Sequence, residues 1–456
     1  MQKKKNNNFA IYPKTTQIKS GYITKTNRAK QFKVLNMKTK AIQGILFLGI
    51  LVSGLSRSEA HSLPSLFRDG EGDILLRNAY INRDYNDKQD KSEWGQGVIA
   101  TFKSGFTPGK IGLGFDYIAQ YAVRLDGGRG KSGAGGIDFF EQDKNGQARK
   151  QLAKFGIAAK LHFSDTVISY GIQRPELPIL SADDTRLLDE TYTGAMLMSK
   201  EIEGMDIHIG YLTAESPKSS DSHNSGLKSI ILGGIHYNIN PYINTDFYAS
   251  NVKGVLSKQY FNINYKPFLN EKSSLAFDFN GYNSRLNNQY AQRINTGRHN
   301  TIWSLAANYT YGVHNIMLAY QSNSGDTGYH YGGYQNRGGV GDGGGTVWLP
   351  NSYWSDFNGE DEHSWQAAYI VDLSKWGTPG LEYKAAYIQG DNIKTQYGNN
   401  DGYEREIFNQ LKYRIASGIG RGFTFKVRYS ILHVSSNAKN YNSGGKEIRV
   451  FIEYPL

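Results

Sequence analysis

The chain has 456 residues, of which only 39% are hydrophobic, so it cannot be a helical membrane transporter assembled from repeated apolar runs of about 20 residues. Aromatic residues make up 13%, with 52 Gly and no Cys; the last excludes a disulfide framework, a thiolate zinc site and a cysteine nucleophile. Residues 1–60 hold twelve basic residues and one acid, Glu59, which is the whole net charge of +11, while 61–456 carry 40 of each sign. A basic nucleic-acid-binding body is therefore excluded.

In chain order, the first expected element is a secretory signal beginning at Met37. Lys38 and Lys40 form its positive n-region, 41–55 its apolar stretch, and Ser58-Glu59-Ala60 its cleavage site. The apolar stretch is short for a bilayer span, so cleavage near Ala60 is favoured over an uncleaved single-span anchor. Residues 1–36, rich in Lys, Asn and Thr, are expected to be an extra or mis-assigned extension.

After the signal, segments of about ten residues alternate apolar with polar side chains and are separated by Gly, Asn, Asp and Ser. In YFNINYK, Phe261, Ile263 and Tyr265 oppose Asn262, Asn264 and Lys266; in SLAFDFN, Leu275, Phe277 and Phe279 oppose Asp278 and Asn280. WSLAANYTY, WQAAYIVDL and LEYKAAYI repeat the pattern. In GFTFKVRYSI, Phe423, Phe425, Val427, Tyr429 and Ile431 oppose Thr424, Lys426, Arg428 and Ser430. The final KEIRVFIEYPL sets Ile448, Val450, Ile452 and Tyr454 against Glu447, Arg449, Phe451 and Glu453. Period-2 alternation of this length is a strand with one oily and one wet face.

A β-sandwich would alternate too, but its apolar faces must meet a second sheet. Aromatic residues near the segment ends and the segment length instead fit a membrane-crossing strand. At roughly 22 residues per strand and connection, 396 residues give about 18 strands, so the expected fold is an all-β transmembrane antiparallel barrel. Three long stretches do not alternate: 125–147, 175–192 and the Gly-rich 324–345. Long structureless loops in an economical fold are usually functional, and loops folding inward are how a wide barrel is narrowed. The Gly-rich loop lacks the Lys-Ser/Thr of a phosphate-binding loop.

Charges on the polar faces point the same way. Lys426 and Arg428 share one strand face, Lys412 and Arg414 another, and Arg449 lies on the last strand; Arg77 and Arg174 lie near segment ends. Together they could form a cationic column down one lumen wall, the competing reading being solvated charge without a selective role. In a partly desolvated constriction one charge pair is worth roughly 4 kcal/mol against about 1 in bulk water. Spreading the sites keeps each weak enough for a solute to leave.

The stretches LLRNAYINRDY, EWGQGVIATFKSGFTPGKIGLGFDYIA, RLDGGRGKSGAGG, LPILSADDTRLLDETYTG, WLPNSYWSDFNGEDEHSWQAAY and FKVRYS…EIRVFIEYPL, in this order and spacing, resemble the OprD family of substrate-specific outer-membrane porins over essentially all of 61–456. The resemblance implies an 18-stranded barrel, often trimeric, whose constriction is built by inward-folded loops and a basic ladder facing a few acids. By local match the ladder should include Arg186, Lys412, Lys426, Arg428 and Arg449, with Ser352 and Asp356 at the constriction. Arg77, Arg174, Asp183, Asp184, Asp342 and Arg414 are further pore candidates. The family's additional loop acid falls on 343–345, with Asp342 nearby. Lys426 stands where the best-known members carry Arg, which keeps charge but loses bidentate geometry.

The expected function is passive, substrate-selective diffusion of carboxylate-bearing solutes, amino acids and small organic acids, across a Gram-negative outer membrane. Expected partners are membrane lipid, lipopolysaccharide and those solutes, without nucleic acid and without a cofactor. An enzyme finds little support, since GxSxG, HExxH and a two-carboxylate pair on a rigid element are missing. His162, His208, His236, His314 and His433 lie in strand-like segments and read as lumen or interface residues. A non-channel barrel, adhesive or structural, and a barrel hydrolase are the alternatives.

Overall fold

A strand crossing hydrocarbon can satisfy its backbone only by pairing along both edges, and this chain does so by closing a sheet on itself. The computed structural model describes residues 64–127, 137–224, 226–332 and 347–456; the expected signal, the 1–36 extension and Asp342 lie outside them. One helical turn, α1 (Ser65–Arg68), leads into β1 (Glu71–Tyr85), β2 (Lys91–Lys103), β3 (Ile111–Arg124), β4 (Gln151–Phe163) and β5 (Thr166–Gln173). The two-residue strands β6 (Glu176–Leu177) and β7 (Leu180–Ser181) form a separate small hairpin. Then follow β8 (Thr191–Ile202), β9 (Met205–Ser216), β10 (Ile230–Asn240), β11 (Ile243–Val252), β12 (Leu256–Tyr265) and β13 (Ser273–Leu286). After α2 (Asn288–Arg293) come β14 (His299–Tyr311), β15 (His314–Gly325), β16 (His363–Asp372), β17 (Leu381–Ile393), β18 (Gly402–Arg414), β19 (Thr424–Val434) and β20 (Gly445–Pro455).

Among the described residues, 18 strands form one sheet in which each pairs antiparallel with its barrel neighbours, as expected. The ring closes within one chain: β20 lies against β1 from Tyr85↔Gly445 to Leu75↔Pro455. One end of the barrel carries tight turns, with Gly204 and Gly312 at φ 74° and 60° supplying the left-handed step that two-residue turns need. The other end carries the long connections 125–150, 174–190 and 326–362.

Parity separates the two faces. Ile157 and Tyr170 point outward and are 60% and 68% exposed, whereas Lys154 and Lys258 point inward and are 3% and 1% exposed. Exposed isoleucine beside buried lysine inverts the pattern of a water-soluble protein and fits a lipid-facing wall around a polar interior. Outward Tyr265, Tyr309 and Tyr311 lie near the short-turn rim and Trp94, Trp365 and Tyr403 near the other, as aromatic girdles require. His208 and His236 face inward while His314 and His433 face outward, in keeping with the reading of strand histidines. The apolar core sits inside the barrel, where loop residues such as Leu187, Leu188, Ile179 and Leu180 pack on the wall.

Candidate functional site

Loop 174–190 is drawn into the lumen because the wall supplies partners for its backbone. Gln120 donates to the Asp189 carbonyl (3.2 Å) and accepts from the Asp189 N–H (2.7 Å). Arg77 donates to the carbonyls of Asp184 (3.1 Å) and Arg186 (2.9 Å), and to the Glu453 carboxylate (2.7 Å). Arg77 is thus buried in the middle of β1 rather than near a segment end, and it tethers the loop instead of lining open space. Arg174 pairs with Asp189, and Asp183 with Lys218, so these two candidates also hold loops together. Burial alone would raise the Asp183 carboxyl, but the Lys218 ammonium and Arg186 hold it well below the usual carboxylate range. Burial and neighbouring Asp189 raise Asp184.

Loop 326–362 is clamped by the same means. Gln321 on β15 donates to the carbonyls of Asp356 (3.0 Å) and Phe357 (2.7 Å), and Asn323 to that of Asn358 (2.8 Å). On the other side, Glu406 on β18 accepts from the N–H groups of Trp354 (3.1 Å) and Ser355 (3.0 Å). Phe357 lies between these clamps at φ 49°, left-handed backbone for a non-glycine residue that the surrounding bonds over-determine. Sequence parity gave Gln321, Asn323 and Glu406 no special standing. Tyr282 joins the two loops: its hydroxyl donates to the Pro178 carbonyl (3.0 Å) and accepts from the Trp348 N–H (3.0 Å).

The two loops meet one stretch of wall, β17 to β20 and β1. Strand register places Lys412 opposite Lys426 and Arg428 opposite Arg449, all facing inward. Lys384 joins the second row through Gln410, its register partner, and was missed in the sequence although it obeys the same parity in LEYKAAYI. Arg428 donates to Gln410 (2.8 Å) and lies over the Phe408 ring; Lys426 lies over Phe451. Among the described residues, Lys384, Lys412, Lys426 and Arg428 have no carboxylate at ion-pairing distance. Arg449 and Arg83 both engage Glu447, each at 2.5 Å. Arg414 shares the inward parity at the short-turn rim, where it is exposed.

From the loop side, Arg186 donates to the carbonyl of Ile137 (2.5 Å) and to Thr185. Burial and the nearby Arg449 and Arg83 guanidiniums push Arg186 below its ordinary value, the electrostatic mark of cations gathered together. Tyr353 of loop 326–362 stacks on Phe408 at 4.1 Å, and the Lys384 ammonium lies over the Tyr353 ring at 4.7 Å. The Asp356 carboxylate accepts from the hydroxyls of Ser352 and Tyr331. The expected constriction pair is therefore in contact, with Tyr331 as an unforeseen third member.

Across the lumen the wall is amide-rich. Asp278 accepts from Asn262 (2.9 Å), Asn264 (3.2 Å) and Asn280 (2.6 Å), and Asp246 contacts His236 (2.8 Å). With Trp348 and Leu349 of loop 326–362, Asp246, Asp278 and the three asparagines border a bay of about 440 Å³. One wall thus presents unneutralised cations and the facing one a closed network of amides and carboxylates, a geometry suited to drawing a small anion along one side.

The sequence model of a family described as outer membrane porin, OprD family, matches residues 65–456. Porin D of Pseudomonas aeruginosa is 33% identical over 422 residues, which cover 88% of this chain and 93% of that one. Among solved structures, OccAB1 of Acinetobacter baumannii superposes with a TM-score of 0.79 at 32% identity, covering 85% of this chain and 96% of its own. OpdK of Pseudomonas aeruginosa, solved with vanillate, gives 0.75 at 26% identity, over 85% and 98% of the two chains.

Proposed function

The chain belongs to the OprD family of outer membrane porins, and from that premise we propose that it passes small carboxylate-bearing solutes, amino acids and organic acids among them. It resides in the outer membrane of a Gram-negative cell, and its relatives are channels rather than enzymes. The observation that carries the solute class is the direct opposition of Lys412 to Lys426 and of Arg428 to Arg449. Like charges opposed across a sheet are destabilising, and a carboxylate in transit relieves that repulsion while forming charge-assisted hydrogen bonds. Arg186 extends the path towards the long-loop mouth, and Lys412 and Arg414 towards the other. Asp356, across the narrowing, suits a solute that also bears an ammonium group.

A second reading, aromatic carboxylates in preference to amino acids, is favoured by the Tyr353–Phe408 stack beside Lys384 and Arg428. A relative solved with vanillate agrees with it. An adhesive or structural barrel has no use for a lumen narrowed by clamped loops over unneutralised cations. One chain closes its own lumen, so the trimer implied by the resemblance is not required for conduction.

Liposome uptake tests this reading. The K426Q/R428Q double variant should lower carboxylate flux about tenfold, equivalent to ~1.4 kcal/mol, and leave a neutral sugar of the same size nearly unchanged. Equal losses for both solutes would reduce the ladder to a matter of width.

A further inference from the structure

The long-loop rim over β11 to β14 carries cations that the lumen does not use. Lys253 in the connection 253–255, Arg285 near the end of β13 and Arg298 just before β14 line one concavity of about 400 Å³ together with Asn251, Ser257 and Asn287. Register sets Asn251, Ser257 and Arg285 in one row. That row has the parity of Phe247, Phe261 and Trp303, so it faces away from the lumen. A fourth cation overhangs it: the Lys228 ammonium stands 3.5 Å from where a Cβ on Gly254 would lie.

Among the described residues, no carboxylate borders this concavity. The neighbouring Asp326 is engaged by the backbone N–H groups of Arg298 and His299, at 2.6 Å each. Arg298 donates through Nε to the Leu286 carbonyl (3.1 Å), which fixes its guanidinium at the lip. Among the described residues, Lys253 and Arg285 have no side-chain hydrogen bond or ion pair.

Height identifies the ligand. Arg285 lies four residues beyond Gly281, which is in register with both Phe261 and Trp303 on the lipid-facing band. Four residues span roughly 13 Å of strand, about 10 Å along the membrane normal at the usual tilt. Such a step carries a side chain from the acyl region into the headgroup layer. Exposed Phe247 and Phe261 lie beneath the cations on the same face, and exposed Ile231 flanks the row beside Asn251. The cleft therefore pairs a cationic upper part with an apolar lower wall.

We propose that Lys253, Arg285 and Arg298, with Lys228 at the margin, form a binding site for the phosphate groups of outer-leaflet lipopolysaccharide, whose acyl chains run down the wall below. Native mass spectrometry of the detergent-purified full chain tests it, with bis-phosphorylated lipid A, its dephosphorylated form and inorganic phosphate as probes. Bis-phosphorylated lipid A should remain bound and the dephosphorylated form should bind at least about tenfold more weakly, as loss of charge-assisted contacts implies. The K253Q/R285Q/R298Q variant should lose the same factor while its channel conductance in planar bilayers stays unchanged. Equal retention of the two lipids by the native chain, a comparison that needs no variant, would overturn the proposal. So would displacement of lipid A by millimolar phosphate, which would mark a small-anion site, or undiminished binding by the variant.

Discussion

The two facing walls of the lumen are both polar, yet they are built on opposite terms. On β12 and β13, Asp278 accepts from three asparagine amides, so its charge is answered by neighbouring donors. On β18 to β20, lysine faces lysine and arginine faces arginine with few acceptors to hand. The first wall stabilises the barrel; the second is tolerated by it. Polar residues inside a barrel thus divide into those the fold needs and those it carries for passing solutes, and the division is read from partners rather than from residue type.

Five variants break or sharpen that contrast. Asp278→Ala takes the acceptor from the Asn264 and Asn280 amides, while Asn262 keeps the Phe279 carbonyl and Asn280, and should cost about 3 kcal/mol, given 1–3 kcal/mol for each unsatisfied group. Thermal melting in detergent would register the loss, while K426Q/R428Q, on the other wall, should melt at the same temperature or slightly above. Arg77→Gln is the test within the basic wall itself, because Arg77 is partnered as the amides are. Removing it leaves Glu453 and two loop carbonyls without their donor, a loss of about 3 kcal/mol by analogy with broken buried pairs. Loop 174–190 would then come away from the wall, and single-channel conductance should rise as solute discrimination falls.

A smaller effect is expected from Asp356→Asn. Flux of solutes bearing both ammonium and carboxylate should fall a few-fold relative to a plain carboxylate, corresponding to under about 1 kcal/mol; an unchanged ratio removes Asp356 from the constriction. The smallest concerns pH. Burial and the adjacent Glu215 carboxyl raise Glu190 well above its ordinary value, so its contribution to stability is present below the unfolded value near 4 and lost as pH rises through the folded one. Asp183, depressed by Lys218, acts in the opposite sense: its contribution holds above about pH 4 and is lost on acidification below that. Glu190→Gln should flatten the alkaline decline in melting temperature and leave the acid decline intact.

Strand number, face and the pairing of Lys426 with Arg428 on one strand were legible because a period of two survives in ten residues of sequence. Arg449 followed from the same count, and Lys384 could have been found by it. Arg77 looked like a pore charge because its partners are remote: the carbonyls that it holds lie 107 and 109 residues away, and Glu453 lies 376 away. Gln321 and Asn323 were equally hidden. An amide on a wet face looks the same whether it meets water or the backbone of an inward loop, and only the folded loop distinguishes the two.

Closure by β20 against β1 makes the ring indivisible. A chain stopped short of Gly445 would have every other strand but two bare margins, each a file of unanswered amides and carbonyls that oil cannot solvate. Damage to the eleven residues of β20 is therefore not scaled to their number. That one strand decides whether all the others amount to a conduit or to debris.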